Sequence, residues 1–256
     1  MKTNHLIVLA AIHIAISPLM SSTVHAQSTN PSIPVGWLTA YPTIVQTGTK
    51  PTLTWAINYP AIVTDYVTMP PMSSTTSPTS TTSSGTVTPK QNLICDIRIL
   101  GAGVTTQNSN GTINYIQTKC VIKYNGSSSW TTIFNGKNTD AIVQQQGIIK
   151  TLNVTAAKAI DFGGQYYWNN TWSTLRTSTS GVYVKALING DACPSRIPDY
   201  NAPTLESFLK PYLDASKKIR IGPMDVIVFM ELTHTNTSEI GYDEQDLVLL
   251  VTFRTS

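Results

Sequence analysis

Apolar and polar residues alternate in short runs along most of this chain, as they do in β-strands that bury one face. In residues 52–57, for example, Leu53, Trp55 and Ile57 occupy every second position. Further runs of strand length are residues 93–100, 113–124, 130–134, 141–145, 159–168, 182–188, 218–221, 225–233 and 246–253. Short strands at this density predict an all-β fold.

Turn signals separate several of these runs. Asn-Gly pairs that begin at Asn125, Asn135 and Asn189 favour the positive φ angles of tight hairpin turns. Because hairpins join antiparallel strands, the sequence predicts an antiparallel β-sandwich of the immunoglobulin-like or jelly-roll-like kind. A helical pattern that begins at Pro203 and is limited by Pro211 adds one short helix, packed over an end of the sheet.

The first 26 residues have a different pattern. Lys2 precedes an apolar segment at residues 6–16, and small residues lead to Ala26. These are the parts of a cleavable signal peptide, and the apolar segment is shorter than the roughly 20 residues that span a bilayer. The alternative is a buried N-terminal helix. We expect cleavage after Ala26 and export of residues 27–256, as a single β-sandwich-like domain, to the periplasm, the cell surface or the extracellular space.

One low-complexity segment interrupts the strands. Residues 73–88 are nearly all Ser and Thr, with Pro78 and Gly85, and so little apolar area predicts a disordered loop. Residues 27–72 are too few to form a sandwich of their own. Their strands are therefore predicted to join the main sandwich or to form a small lobe packed on it.

Charge and histidine content exclude several classes of function. The formal net charge is +3 and charged residues make up 12% of the chain, so there is no basic stripe for nucleic acid. No apolar run after the signal reaches membrane-spanning length, which predicts no membrane insertion. Three of the four histidines lie in residues 1–26, which leaves His234 and excludes a zinc site built on several histidines. The chain also lacks a Gly-x-Ser-x-Gly nucleophile motif.

The expected compartment bears on whether the cysteines form a disulfide. Cys95 and Cys120 lie in two strand-like runs, and an exported protein folds where disulfides form. One interpretation is a Cys95–Cys120 disulfide between neighbouring strands, with Cys193 left in a turn. The alternative is that the thiols are reduced and buried.

An acidic turn is the candidate metal site. Asp243, Glu244 and Asp246 lie within four residues, just before an apolar strand, and Glu231 lies on the preceding strand. Carboxylate oxygens are the ligands that calcium takes, so calcium is the candidate cofactor. The turn is similar to the Asp-x-Asp-x-Asn-Asp-Leu-Val turn of some exported bacterial β domains, with Gln245 in place of Asn. The alternative is a charged hairpin tip that keeps the strand soluble.

An aromatic cluster is the candidate ligand site. Tyr167, Trp168, Asn169 and Trp172 lie within six residues, and rings beside amides suit sugars, whose apolar faces stack on rings while their hydroxyls bond amides. Because successive strand residues point to opposite sides, only Tyr167 and Trp172 are expected to share a face away from the core. Core packing of the other rings, beside a hairpin loop, is the favoured interpretation.

Paired carboxylates also suggest a glycoside hydrolase, whose two carboxyl groups face each other roughly 5 to 9 Å apart. The sequence does not pair them, and adjacent acids on one turn point the wrong way. The eligible residues are Asp161, Asp225, Glu231, Asp243 and Asp246.

Two stretches carry a resemblance to known sequences. Residues 36–42 and 51–55 read Gly-Trp-Leu-Thr-Ala-Tyr-Pro and Pro-Thr-Leu-Thr-Trp, and residues 221–226 and 245–253 read Ile-Gly-Pro-Met-Asp-Val and Gln-Asp-Leu-Val-Leu-Leu-Val-Thr-Phe. They resemble an uncharacterised family of exported β-rich proteins of verrucomicrobia-like bacteria, which has no assigned activity. The resemblance implies a bacterial envelope or extracellular setting and supplies no catalytic residue.

These observations favour an exported, non-catalytic surface or extracellular protein with a structural or adhesive role, or a subunit of an assembly. Its predicted partners are further copies of itself, through edge strands, or surface glycans. The alternative is a carbohydrate-binding module with a structural calcium site. A third class is a secreted, carboxylate-based glycoside hydrolase.

Overall fold

The computed structural model describes residues 35–41, 52–58, 62–69, 85–179, 182–194, 208–239 and 241–255, the first two ranges by their backbone alone. The predicted signal peptide (1–26), residues 73–84 of the predicted loop and the first part of the predicted helix (203–207) lie outside the described residues. No helix within the described ranges is long and apolar enough to cross a membrane.

The described residues form sixteen β-strands and two short α-helices. The strands are β1 (Val35–Tyr41), β2 (Thr52–Asn58), β3 (Val67–Thr68), β4 (Thr88–Pro89), β5 (Leu93–Gly101), β6 (Thr105–Gln107), β7 (Ile113–Tyr115), β8 (Thr118–Lys123), β9 (Thr131–Gly136), β10 (Ile148–Val154), β11 (Asp161–Trp168), β12 (Thr171–Trp172), β13 (Arg176–Thr177), β14 (Val184–Leu187), β15 (Asp225–Met230) and β16 (Leu247–Arg254). The helices are α1 (Val63–Tyr66) and α2 (Ala141–Gln144), and one 3-10 turn spans Lys210–Tyr212.

Two antiparallel sheets form the body of the protein. The first has the strand order β10-β5-β16-β15-β14, and the second has the order β12-β11-β8-β9, with β13 also paired to β11. Both sheets contribute to one apolar core, which includes Ile97, Val228 and Phe253 from the first sheet. Ile122 and Phe162 enter the same core from the second sheet. This arrangement confirms the predicted all-β fold and is consistent with a sandwich.

The outer face of the first sheet is covered as well. A second apolar cluster lies there. It consists of Leu209 and its neighbours together with Ile227 and Phe229 of β15 and Val248 and Leu250 of β16. Alternate residues of the same two strands face the core between the sheets. Strands buried on both faces have continuous apolar sequences, which is why β15 and β16 lack the alternation seen elsewhere.

The helical elements differ from the prediction. In the described part of the predicted helix only the 3-10 turn Lys210–Tyr212 forms, because Pro211 has no N–H to extend a helix. Leu209 is nonetheless fully buried on the outer face of the first sheet. Residues 141–145 were predicted as a strand, and the structure has helix α2 there. A short apolar run does not distinguish one helical turn from a short strand.

The N-terminal strands and the end of the predicted loop are also defined. Strands β1 and β2 pair with each other and with no other described strand, so neither joins a five-stranded sheet.

Residues 85–88 belong to the ordered fold: Val87 is fully buried and bridges Ile160, and Thr88 begins β4. Val87 supplies the apolar area that the preceding Ser/Thr-rich residues lack.

The predicted disulfide is not formed. Cys95 lies in β5 of the first sheet and Cys120 in β8 of the second, and both are free thiols. Both side chains are fully buried in the core, and burial raises the pKa of each thiol. They act as small apolar core residues. The prediction was wrong because it assigned the two strands to neighbouring positions in one sheet.

Candidate functional site

The carboxylates predicted as metal ligands lie at the two ends of the loop between β15 and β16. They are Glu231, Asp243, Glu244 and Asp246. Glu231 is fully buried, and its Oε1 accepts hydrogen bonds from the backbone N–H groups of Thr233 and His234 at 2.9 and 2.7 Å. Its Oε2 accepts from the N–H groups of Asp243 and Glu244 at 3.0 and 3.2 Å. One carboxylate thus joins the start of the loop to its end.

Asp246 shares a donor with Glu231. Its Oδ2 accepts from the N–H groups of Leu232 and Thr233 at 2.6 and 3.0 Å. Burial raises the pKa of Asp246 well above its ordinary value, and the charges of Glu231 and Asp243 raise it further. Burial also opposes ionisation of Glu231, but its hydrogen bonds outweigh that effect and lower its pKa. The two pKa values are therefore shifted in opposite directions, which favours the charged form of Glu231 and the neutral form of Asp246.

The other two carboxylates have separate contacts. Glu244 is buried, and its Oε1 forms an ion pair with the ammonium of Lys185 on β14. Asp243 accepts a hydrogen bond from the N–H of Gln245 at 3.2 Å. Burial raises the pKa of Asp243 to about 6.

Through these contacts, the carboxylates of the acidic turn bind backbone N–H groups of their own loop. Among the described residues, no group of three or more His, Cys, Asp or Glu side chains is arranged to hold a metal ion. N–H donors already occupy both oxygens of Glu231, and the calcium ion stays a prediction from the sequence. The alternative of an exposed charged tip is wrong, since Glu244 and Asp246 are only 3% and 6% exposed.

The five carboxylates considered for glycoside hydrolysis lie in three parts of the fold: the loop between β15 and β16, the start of β11 and the start of β15. Glu231 and Asp246 come together, but both are buried and both accept a hydrogen bond from the Thr233 N–H. Asp161 accepts hydrogen bonds from two hydroxyl groups. Asp225 accepts from one hydroxyl and one backbone N–H.

The predicted aromatic cluster forms the hairpin of β11 and β12. Asn169 and Asn170, with φ angles of 49° and 62°, make a two-residue turn whose positive φ angles match the twist of the paired strands. Tyr167 lies directly opposite Trp172 in the register. Their ring centroids are 5.2 Å apart at an interplanar angle of 56°, which is a tilted aromatic pair. The two rings share one face, as alternation along the strand predicts.

Trp168 and Asn169 do not join this ring pair. Trp168 is the next residue after Tyr167, so it faces the opposite side, and it is 46% exposed. The expectation that it packs in the core is wrong, because β8 pairs with β11 only as far as Tyr166 and Trp168 is flanked by β12 alone. Asn169 is exposed at the tip of the turn.

Neighbouring strands bring polar side chains to the face that carries the rings. Lys119 of β8 lies opposite Gln165 of β11 and Asn135 of β9. The side-chain amide of Gln117 donates to Asn135 Oδ1 at 2.9 Å, and the Gln117 carbonyl accepts from the N–H of Tyr167 at 2.8 Å. We call the following six residues the outer platform: Gln117, Lys119, Asn135, Gln165, Tyr167 and Trp172.

Lys119 has an unusual position on the outer platform. Its Nζ lies 3.7 Å from the centroid of the Trp172 ring, a cation–π contact. None of the ion pairs in the described part of the chain involves Lys119. Lys123, four residues further along β8, lies 5.1 Å from the Trp130 ring and 3.4 Å from Asp161 Oδ2. Among the described residues, no carboxylate therefore balances the charge of Lys119, whereas Asp161 balances that of Lys123.

The two sheets differ in what covers their outer faces. Neither apolar cluster of the described residues includes a member of the outer platform, whereas the second cluster covers the outer face of the first sheet. Lys119, Gln165 and Asn135 were missed by sequence reasoning because their proximity to the rings depends on strand pairing. The signal present in the sequence was the alternation of Gln117 and Lys119 with inward-facing residues.

In comparisons with known proteins, no family model, no curated protein and no solved structure matches this chain. The bacterial family resemblance stays a prediction from the sequence. What the chain does is therefore inferred from its own residues.

Proposed function

We propose that this chain is an exported, non-catalytic surface or extracellular protein that adheres to glycans through the outer platform. The observation that carries the proposal is the Tyr167–Trp172 ring pair, on a face of the second sheet that neither apolar cluster of the described residues covers. Binding sites for small molecules combine apolar and aromatic surface with a few polar groups that fix orientation. The outer platform has this composition, with two rings beside three amides and one ammonium.

The rings are held in position without a ligand, which supports a binding role. The register of β11 and β12 aligns Tyr167 with Trp172. Ser173 fixes the base of the hairpin, since its carbonyl accepts from Gln165 Nε2 at 2.6 Å and its Oγ accepts from the Tyr166 N–H at 3.0 Å. A site that is ordered before binding loses less conformational entropy when ligand arrives.

The sequence supports the non-catalytic and exported parts of the proposal. Residues 1–26 have the organisation of a signal peptide, and His234 is the one histidine that follows them. Glu231 and Asp246 form the acidic turn, where their carboxyl groups bind backbone N–H groups. A protein that retains glycans without cleaving them needs neither an acid–base pair nor a nucleophile.

A glycan array followed by calorimetry tests the proposal with the purified full chain. We expect Trp172→Ala and Tyr167→Ala each to weaken binding at least about tenfold, the loss of one stacking surface. Trp168→Ala is the matched control, because it removes an exposed ring from the opposite face of the same hairpin, and it should leave binding unchanged. A wild-type protein that retains no glycan, or equal losses for Trp168→Ala and Trp172→Ala, would exclude the outer platform.

Self-association is a second candidate, favoured by one observation. Strand β10 ends the order of the first sheet, and Ile148 at its start is 42% exposed. Edge strands with exposed apolar residues are templates for pairing with another chain. Light scattering during size exclusion tests this role: oligomers that Ile148→Lys dissolves support it, and a strict monomer at high concentration argues against it.

A further inference from the structure

We infer that the outer platform binds an acidic saccharide, a sugar that carries a carboxylate, and that Lys119 binds this carboxylate. The inference rests on the proposed glycan-binding function and adds the chemical class of the ligand. It follows from the position of Lys119, from its charge balance and from the polar groups beside it.

The position of Lys119 is central. It lies between Asn135 and Gln165 across three strands, and its Nζ lies 3.7 Å from the centroid of the Trp172 ring. A sugar stacked against the Tyr167–Trp172 pair therefore has its substituents within reach of this ammonium.

Within the described ranges of the chain, no carboxylate balances the charge of the outer platform. Its six residues include one ammonium and no carboxylate, and Lys119 takes part in none of the ion pairs in the described residues. Asp161 lies in the same pair of strands, but it is opposite Lys123 in the register and pairs with it at 3.4 Å. A neutral sugar would leave the charge of Lys119 unmatched, whereas a carboxylate complements it.

The resting contact of Lys119 does not prevent this role. A lysine over an aromatic ring at a partly exposed site is held more weakly than one in a charge-assisted hydrogen bond to a carboxylate. The carboxylate of the ligand therefore draws Nζ away from Trp172, and the sugar takes its place on the ring. The cation–π contact keeps the ammonium beside the stacking surface until then.

The amides beside Lys119 supply the remaining polar contacts. Gln165 Nε2 is used by the Ser173 carbonyl, which leaves Gln165 Oε1 to accept from a hydroxyl. Asn135 Oδ1 is used by Gln117, which leaves Asn135 Nδ2 to donate to one. The Asn135 donor lies on one side of the Lys119 ammonium and the Gln165 acceptor lies on the other. This arrangement suits a sugar that has hydroxyl groups next to its carboxylate.

Three probes of equal length test the inference by calorimetry: a uronic-acid oligosaccharide, its methyl ester and the neutral oligosaccharide of the same linkage. We expect the wild-type full chain to bind the acid at least about tenfold more tightly than the ester or the neutral sugar. Lys119→Gln should bring the ratio of acid to neutral-sugar affinity to about one, whereas Lys119→Arg should keep the preference for the acid.

Lys123→Gln is the matched control, because Lys123 lies on the same strand beside a tryptophan but is already paired with Asp161. It should keep the preference for the acid. Equal binding of acid and neutral probes, or a preference that survives in Lys119→Gln, overturns the inference and leaves glycan binding intact. If no probe binds although the array detects another glycan, the inference fails and the proposed function stands; if the array also detects none, both fail. Circular dichroism verifies that each variant is folded.

Discussion

The acidic turn and the outer platform both contain charged side chains, but they use them in opposite ways. In the acidic turn, Glu231 is fully buried and accepts N–H donors on both carboxylate oxygens. On the outer platform, the ammonium of Lys119 has the ring of Trp172 as its contact and no carboxylate among the described residues. A charge saturated by the backbone stabilises the fold, whereas a charge left at the surface is available to a ligand.

The positions of the two regions explain this difference. The acidic turn joins β15 to β16, the strands of the first sheet that are buried on both faces. A loop between such strands has buried backbone groups, and each of them needs a partner. The outer platform lies on a sheet face that neither apolar cluster of the described residues covers, so its polar side chains are not needed to satisfy a buried backbone.

The largest expected effect comes from removing the carboxylate of the acidic turn. Glu231→Ala should lower the free energy of unfolding by about 3 kcal/mol, because several buried N–H donors lose their acceptor. Urea denaturation measures the loss. Glu239→Ala is the control, since Glu239 is exposed in the same loop and should cost less than about 0.5 kcal/mol. Equal effects of the two variants would contradict the structural role of Glu231.

A smaller loss is expected on the outer platform. Trp172→Ala should lower the free energy of unfolding by about 1 kcal/mol, the magnitude of a cross-strand aromatic pair, because the ring is only half-buried. The same denaturation experiment measures it. A loss as large as that of Glu231→Ala would mean that the outer platform is part of the stabilising core and would weaken the comparison.

The acidic turn should also make stability depend on pH. Burial raises the pKa of Asp243 to about 6 in the folded protein, so the folded state binds this proton more tightly than the unfolded state. Stability contributed by the neutral acid is therefore present at low pH and is lost as the pH rises from about 4 to about 6. Asp246, whose pKa is also raised by burial, acts in the same direction.

Thermal unfolding between pH 4 and pH 7 measures this dependence. Asp243→Asn should reduce the fall in Tm over that interval, because the amide keeps an acceptor for the Gln245 N–H and does not ionise. The lowered pKa of Glu231 acts in the opposite direction, at lower pH. A Tm profile of Asp243→Asn that coincides with that of the wild type would show that Asp243 is not the group that titrates.

The smallest effect is expected at the tip of the aromatic hairpin. Asn170 has a φ of 62°, and glycine adopts this conformation at lower cost than any other residue. Asn170→Gly should raise the free energy of unfolding by about 0.5 kcal/mol, measured by the same denaturant series. Glycan binding should be unchanged, because the turn lies beyond the Tyr167–Trp172 pair. A destabilised variant would mean that the Asn170 side chain has a role of its own.

The sequence predicted features that depend on neighbouring residues. Alternation and apolar runs of strand length identified most strands of both sheets, including β15 and β16. The same local reasoning aligned Tyr167 with Trp172 on one face, because side chains of a strand alternate with a fixed period of two residues. It failed at residues 141–145, where a run of only a few apolar residues fits a helical turn as well as a strand.

The tertiary structure decided which distant residues meet. It separates Cys95 and Cys120 into different sheets, brings Lys119 to the ring of Trp172 and joins the two ends of the β15–β16 loop through Glu231. Such contacts depend on the order and register of strands that are far apart in the chain. That order is selected by burial of the whole core, and no local period in the sequence encodes it.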